Sequence, residues 1–121
     1  MISEHLEREK KIKQEVNRIK KIYRNLEKDK VKVLEGLIKD AAFMKVTLEE
    51  FRETLIQKGT TKLFKQGKQE LEVERHESKM YLPYIQKYSQ VMKQLIDLFP
   101  PEVQKTEEDA LTEFVKRRKG R

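Results

Sequence analysis

The 121 residues are 40% charged and 36% apolar, with a formal charge of +7 and no cysteine. At that length a single thin-cored domain is expected, because small chains hide proportionally less of their surface. Charged content far above the usual ~25% suits long exposed helices, or helices that complete their core on another subunit. The absence of cysteine excludes disulfides and thiolate metal sites and fits a reducing compartment. No apolar run nears the ~18 residues of a membrane span, and the charged stretch Met1 to Lys11 lacks a signal peptide's apolar segment. A cytoplasmic chain with no membrane contact is therefore expected. The basic surplus favours a polyanionic partner, since lysines placed on phosphates release counterions, although 21 acidic residues dilute it.

From Ser3 to about Leu26 there is no Gly or Pro, and Ile12, Val16, Ile19, Tyr23 and Leu26 recur at four, three, four and three residues. This is one narrow apolar stripe on a charged helix, and a stripe so narrow needs a partner helix. Asn25 and Asp29 suit a short connection, with Asp29 as N-cap of the next helix. A second helix is predicted from about Lys30 to Lys58, with Leu34, Leu37, Ala41, Met44, Leu48, Phe51 and Leu55 as its core stripe and Val31, Ile38 and Ile56 widening it. Gly36 costs this helix about 1 kcal/mol relative to Ala, so it marks either a close packing point or a weakness. Gly59 ends the helix, with Lys58 placed favourably against the dipole.

Thr60 to Arg75 breaks the pattern. Two threonines, Gly67 and the alternation Glu70-Leu71-Glu72-Val73-Glu74 read as a loop or a small β-hairpin turning at Gln66, Gly67 and Lys68. A third helix is predicted from Glu77 or Ser78 to Phe99, where Pro100 and Pro101 stop it, with Pro83 in its first turn. Tyr81, Ile85, Tyr88, Met92, Leu95 and Phe99 form one stripe on this helix, and Tyr84, Val91 and Leu98 a second. A helix with two stripes is usually sandwiched, here between its own domain and another subunit. A short last helix is predicted after Thr106, with Glu107, Glu108 and Asp109 at its N-terminus and Leu111, Phe114 and Val115 on one face. The expected fold is thus all-α: two or three long helices in a hairpin or bundle, with the hairpin between helices 2 and 3 and a short C-terminal helix. Three regions divide it: a basic N-terminal helix over 1–26, a helical core and oligomerisation region over 27–100, and a C-terminal helix with a basic tail over 101–121.

Residues that could carry chemistry are scarce. His5 and His76 stand apart without a nucleophile or a second metal ligand in an HExxH pattern, and read as ordinary surface histidines. The clusters Glu49, Glu50, Glu53 and Glu107, Glu108, Asp109 read as solvated faces or helix N-terminal charge. Gly67-Lys68 fails as a phosphate-binding loop, because Lys62 stands where the first glycine belongs and Gln69 where a Ser or Thr belongs. No catalytic residue, metal or cofactor is expected. Basic residues offer more. Arg8, Lys10, Lys11, Lys13, Arg18, Lys20, Lys21 and Arg24 crowd the first helix, and Lys116, Arg117, Arg118 and Lys119 crowd the tail. Both sets are candidate phosphate contacts, a lysine-rich solvated helix and a tail without a role being the alternatives. The sequence shows no helix-turn-helix to support groove reading.

The string AAFMKVTLEEF from Ala41 to Phe51, the Gly59 beyond it, and YIQKYSQVMKQLIDLFP from Tyr84 to Pro100 resemble small terminase subunits of tailed phages infecting Gram-positive bacteria. The likeness covers roughly residues 30 to 100. It implies a non-catalytic packaging factor that forms rings, binds double-stranded viral DNA in the host cytoplasm, and hands it to a large terminase subunit carrying the ATPase and nuclease. Carried onto this sequence, Tyr84, Ile85, Tyr88, Val91, Met92, Leu95 and Leu98, joined by Tyr81 from the same stripe, become the oligomerising surface. The N-terminal helix-turn-helix often seen in such subunits has no counterpart here, so the DNA contacts rest on charge. The alternative is a helical adaptor or inhibitor that binds another protein without touching DNA.

Overall fold

The computed structural model describes residues 2–24, 28–98 and 101–119, with side chains described for 4–24, 28–98 and 107–116. In chain order these form α1 (Ile2–Ile22), α2 (Lys28–Lys58), β1 (Thr61–Gln66), β2 (Gln69–Glu74), α3 (His76–Ile96) and α4 (Pro101–Lys119). The chain is mostly helical, with one antiparallel hairpin between the second and third helices. Neighbouring helices run antiparallel: Arg8 meets Glu50 and Lys20 meets Glu35 across α1 and α2, while Phe51 meets Tyr84 across α2 and α3.

Ile19 and Tyr23 at the end of α1, Leu34, Ile38, Ala41 and Leu48 of α2, and Tyr81, Ile85, Tyr88, Met92, Leu95 and Ile96 of α3 form one core. The single stripe of α1 thus finds its partner within the same chain. Tyr23 follows the helix in a tight turn and is buried, and its hydroxyl donates a 2.6 Å hydrogen bond to the Leu95 carbonyl. A buried phenol needs such an acceptor, and burial pushes its pKa up, with Glu107 adding to the effect. Leu111, Phe114 and Val115 lay α4 against the same core.

Several boundaries differ from those predicted. The first helix stops at Ile22, and the expected connection through Asn25 and Leu26 lies outside the described residues. Because α2 already starts at Lys28, Asp29 sits in its first turn, where its charge favours the dipole, and not at the cap. The third helix starts at His76, so Pro83 lies two turns inside it, and the Lys79 carbonyl loses its usual i+4 donor. It stops at Ile96 with Asp97 as C-cap, and Phe99 lies outside the described residues. The last helix begins at Pro101, a residue whose fixed φ and missing N–H suit the first helical position, so it is longer than the short helix predicted after Thr106.

Two glycines adopt positive φ. Gly59 (φ 79°) follows α2 and donates to the Leu55 carbonyl at 2.9 Å, closing the helix in a left-handed cap. Gly67 (φ 62°) is the first central residue of the two-residue turn between Gln66 and Gln69, and the lysine after it keeps negative φ, the pattern of a type II′ hairpin. Gly36 is exposed, and a Cβ added there would meet nothing within 4 Å, so it is a weakness of α2 and not a packing point.

Candidate nucleic-acid interface

Of the eight cations proposed on the first helix, spacing and neighbours divide two groups. Arg8, Lys11 and Arg18 lie on the flank of α1 that meets the carboxylates of α2. Arg8 makes a two-pronged ion pair with Glu50, its Nε donating at 3.0 Å, and that hydrogen bond raises the guanidinium pKa. Arg18 grips Glu15 with Nε at 2.7 Å and Nη2 at 2.9 Å, and its Nη1 reaches Glu107 of α4 at 2.9 Å. Lys45 closes the cluster at 3.5 Å from Glu15. Glu15 is only 8% exposed. Burial alone would push its carboxyl up, but Arg18 and Lys45 more than offset this and hold it below the ordinary carboxylate range. Arg8, Arg18 and Lys45 are thus neutralised by carboxylates of α1 and α2, with Glu107 of α4 added for Arg18, while Lys11 is exposed, lies on the same side as Glu49, Glu50 and Glu53, and forms no salt bridge among the described residues.

The opposite flank is open. Lys10, Lys13, Asn17 and Lys20 follow one another at three, four and three residues, and Lys21 lies four beyond Asn17, with Arg24 past the helix end, so they share one face of α1. Lys13, Asn17 and Lys20 line a shallow groove against Lys39, Asp40 and Phe43 of α2. The groove continues past Lys20 to Arg24, Lys28, Lys32 and Glu35. Lys28, Lys32 and Lys39 form a second row along α2, at spacings of four and seven. Six cations therefore border the groove, against the carboxylates Glu35 and Asp40. Glu35 bridges the rows, 3.5 Å from both Lys20 and Lys39, and Lys20 does most to pull its carboxyl below the ordinary range. Lys10, Lys13, Lys21 and Arg24 are exposed and form no salt bridge among the described residues.

Lys28, Lys32 and Lys39 were not among the candidates drawn from the sequence. The signal was their shared spacing on the polar side of α2, masked by that helix's strong core pattern. Lys116 is exposed on α4, while the side chains of Arg117, Arg118 and Lys119 lie outside the described residues. Arg52 proved to be a structural cation: it donates to the Tyr81 hydroxyl at 2.9 and 3.1 Å and to the Phe114 carbonyl at 3.2 Å, and lies 4.4 Å from the Phe114 ring centroid.

The expected assembly surface on α3 is corrected by its surroundings. Tyr81, Ile85, Tyr88, Met92 and Leu95 are buried in the subunit's own core, and Tyr84 and Val91 pack half-buried against it, with Tyr84 edge-on to Phe51 at 5.5 Å. Only Leu98, 51% exposed, remains open. Two apolar stripes were needed because α1, α2 and α4 all pack around this helix, which accounts for both stripes without a second subunit.

Among the described residues no group of acidic and histidine side chains is placed to hold a metal ion, and no helix is long and apolar enough to cross a membrane. His5 is exposed, and His76 meets the Phe51 ring edge-on at 6.3 Å. No protein family matches the chain, and no curated protein or solved structure is significantly similar to it.

Proposed function

We propose that the chain is a non-catalytic DNA-packaging factor of the small-terminase kind, which binds double-stranded DNA on the lysine-lined groove of α1 and α2, assembles with copies of itself, and presents the duplex to a large terminase subunit in the host cytoplasm. The observation that supports DNA contact is the double row of cations: Lys13, Lys20 and Arg24 on one side, Lys28, Lys32 and Lys39 on the other. Rows of this kind track a phosphate backbone and neutralise it without reading bases. The packaging role rests on the resemblance of residues 30 to 100.

Gel shifts of a duplex over a salt series test the reading. Binding that weakens steeply with salt, and a log-log slope flattened in the Lys20→Ala/Lys21→Ala variant by about 0.9 for each phosphate no longer neutralised, are the expected results. Indifference of the wild-type chain to duplex at low salt would instead favour the helical adaptor.

A further inference from the structure

We propose that the β1–β2 hairpin is the subunit's self-assembly element, the β1 edge of one copy pairing with the β2 edge of the next. The hairpin stands off the helical body: along both strands Val73 alone is even half-buried, and Leu63, Phe64 and Leu71 are 65%, 47% and 55% exposed. An isolated two-stranded ribbon is marginal in water and needs neighbours to persist. Its register supplies two distinct faces. Phe64 opposite Leu71 and Lys62 opposite Val73 make one face largely apolar, while Lys65 opposite Glu70 and Leu63 opposite Glu72 carry charge on the other.

The same register decides which backbone groups are free. Gln66 and Gln69 close the turn as a hydrogen-bonded pair, so Phe64 with Leu71 and Lys62 with Val73 bond inward. Arg75 donating to the Thr60 carbonyl at 2.8 Å continues the alternation. Thr61, Leu63 and Lys65 then point their N–H and C=O groups out of one edge, and Glu70, Glu72 and Glu74 out of the other. Uncovered edges of this kind are templates for another strand.

Charge selects the partner. The β1 edge carries Lys65, with Lys62 beside it, and the β2 edge carries three glutamates. Two β2 edges would set carboxylates against carboxylates, and two β1 edges would gain no ion pair. A β1 edge on the β2 edge of another copy places lysine beside glutamate, as Lys65 and Glu70 already sit at 3.5 Å within one hairpin. Such a contact is head-to-tail, so it repeats from copy to copy until the rotation closes a ring or runs on as a filament. With all turns at one end, successive strands remain antiparallel and the Phe64, Leu71 and Val73 faces merge into one apolar surface.

Proline substitution tests this selectively. Leu63→Pro and Glu72→Pro each remove an outward N–H while leaving every backbone hydrogen bond within the hairpin, the second giving up only the exposed 2.7 Å bond that the Thr61 hydroxyl donates to Glu72. Light scattering coupled to sizing should give a multiple of the subunit mass for the wild-type chain, a single subunit for each variant, and a two-subunit complex when the variants are mixed, because each retains the edge the other lacks. Circular dichroism should show unchanged helix content. As a second route, Lys65→Glu should dissociate the assembly and added Glu70→Lys should restore it. A monomeric wild-type chain, a proline variant that assembles as the wild type does, or a mixture that stays monomeric would overturn the proposal. The inference rests on the self-assembly part of the proposed function and not on DNA contact: gel shifts with the monomeric Leu63→Pro chain report groove binding by itself, so the two can fail separately.

Discussion

Both flanks of α1 carry cations, and the two do opposite things with them. On the flank facing Glu49, Glu50 and Glu53, Arg8 and Arg18 are fixed by carboxylates of their own molecule, and Glu15 is buried beneath Arg18 and Lys45. On the flank facing Lys39 and Lys32, cations outnumber carboxylates and stay solvated. A count of lysines and arginines along a helix therefore overstates what is free to meet a phosphate. The difference arises from the residue brought opposite each cation, not from the cation itself.

The largest expected effect of breaking this contrast is on the closed flank. Glu15→Ala leaves Lys45 without its partner and removes both carboxylate hydrogen bonds of Arg18 within α1, and should cost about 2–3 kcal/mol in urea unfolding. That is below the ~3–5 kcal/mol of a fully buried pair, because Arg18 is 42% exposed and keeps Glu107. On the open flank, Lys13→Gln, Lys20→Gln and Lys39→Gln together should weaken duplex binding by roughly tenfold or more and flatten the salt slope by about 2–3. The matched set Arg8→Gln, Arg18→Gln and Lys45→Gln, all three paired with carboxylates of their own molecule, should leave that slope close to wild type, and an equal loss from both sets would erase the contrast.

Acid should act through the closed flank first. The Glu15 pKa is depressed in the folded chain, so its contribution to stability is fully present above the ordinary carboxylate pKa and is lost as pH falls through the lower folded value. Thermal unfolding of wild type and Glu15→Gln should thus converge as pH drops below about 4. Glu35→Gln, on the open flank, should tighten duplex binding a few-fold by freeing Lys20 and Lys39, while leaving the urea-unfolding midpoint close to wild type, because exposed ion pairs contribute little to stability. Gly36→Ala is expected to have a stabilising effect of about 0.5–1 kcal/mol, since nothing stands where the methyl group would go. A loss of stability there would show that the site has a packing partner.

Local chemistry was legible where spacing alone decides it. Helical periodicity located the three main helices, Gly59 marked the end of α2, and Gly67 with the Leu71/Val73 alternation marked the hairpin. Ends set by backbone hydrogen bonding were read less well: the start of α3 at His76 and its passage through Pro83 run against the local preference of proline, because Tyr81, Ile85 and Tyr88 gain more by burial on both sides of that residue than the one missing hydrogen bond costs. The double stripe marks α3 as a two-sided helix, yet Tyr84 of the second stripe meets Phe51 of α2 and Tyr88 of the first meets Phe114 of α4, pairings that no spacing within α3 could reveal.

The sequence by itself determined that this chain builds charged helices around a thin apolar core with a short ribbon between them, since periods of 3.6 and 2 and two glycines suffice for that. Only the tertiary structure decided which charges are neutralised and which apolar side chains are covered. Arg18 and Glu107, or Tyr23 and Leu95, lie far apart along the chain and meet only when the helices pack. Coulomb attraction and burial act over a few ångströms of space, and distance along the sequence says little about distances of that kind.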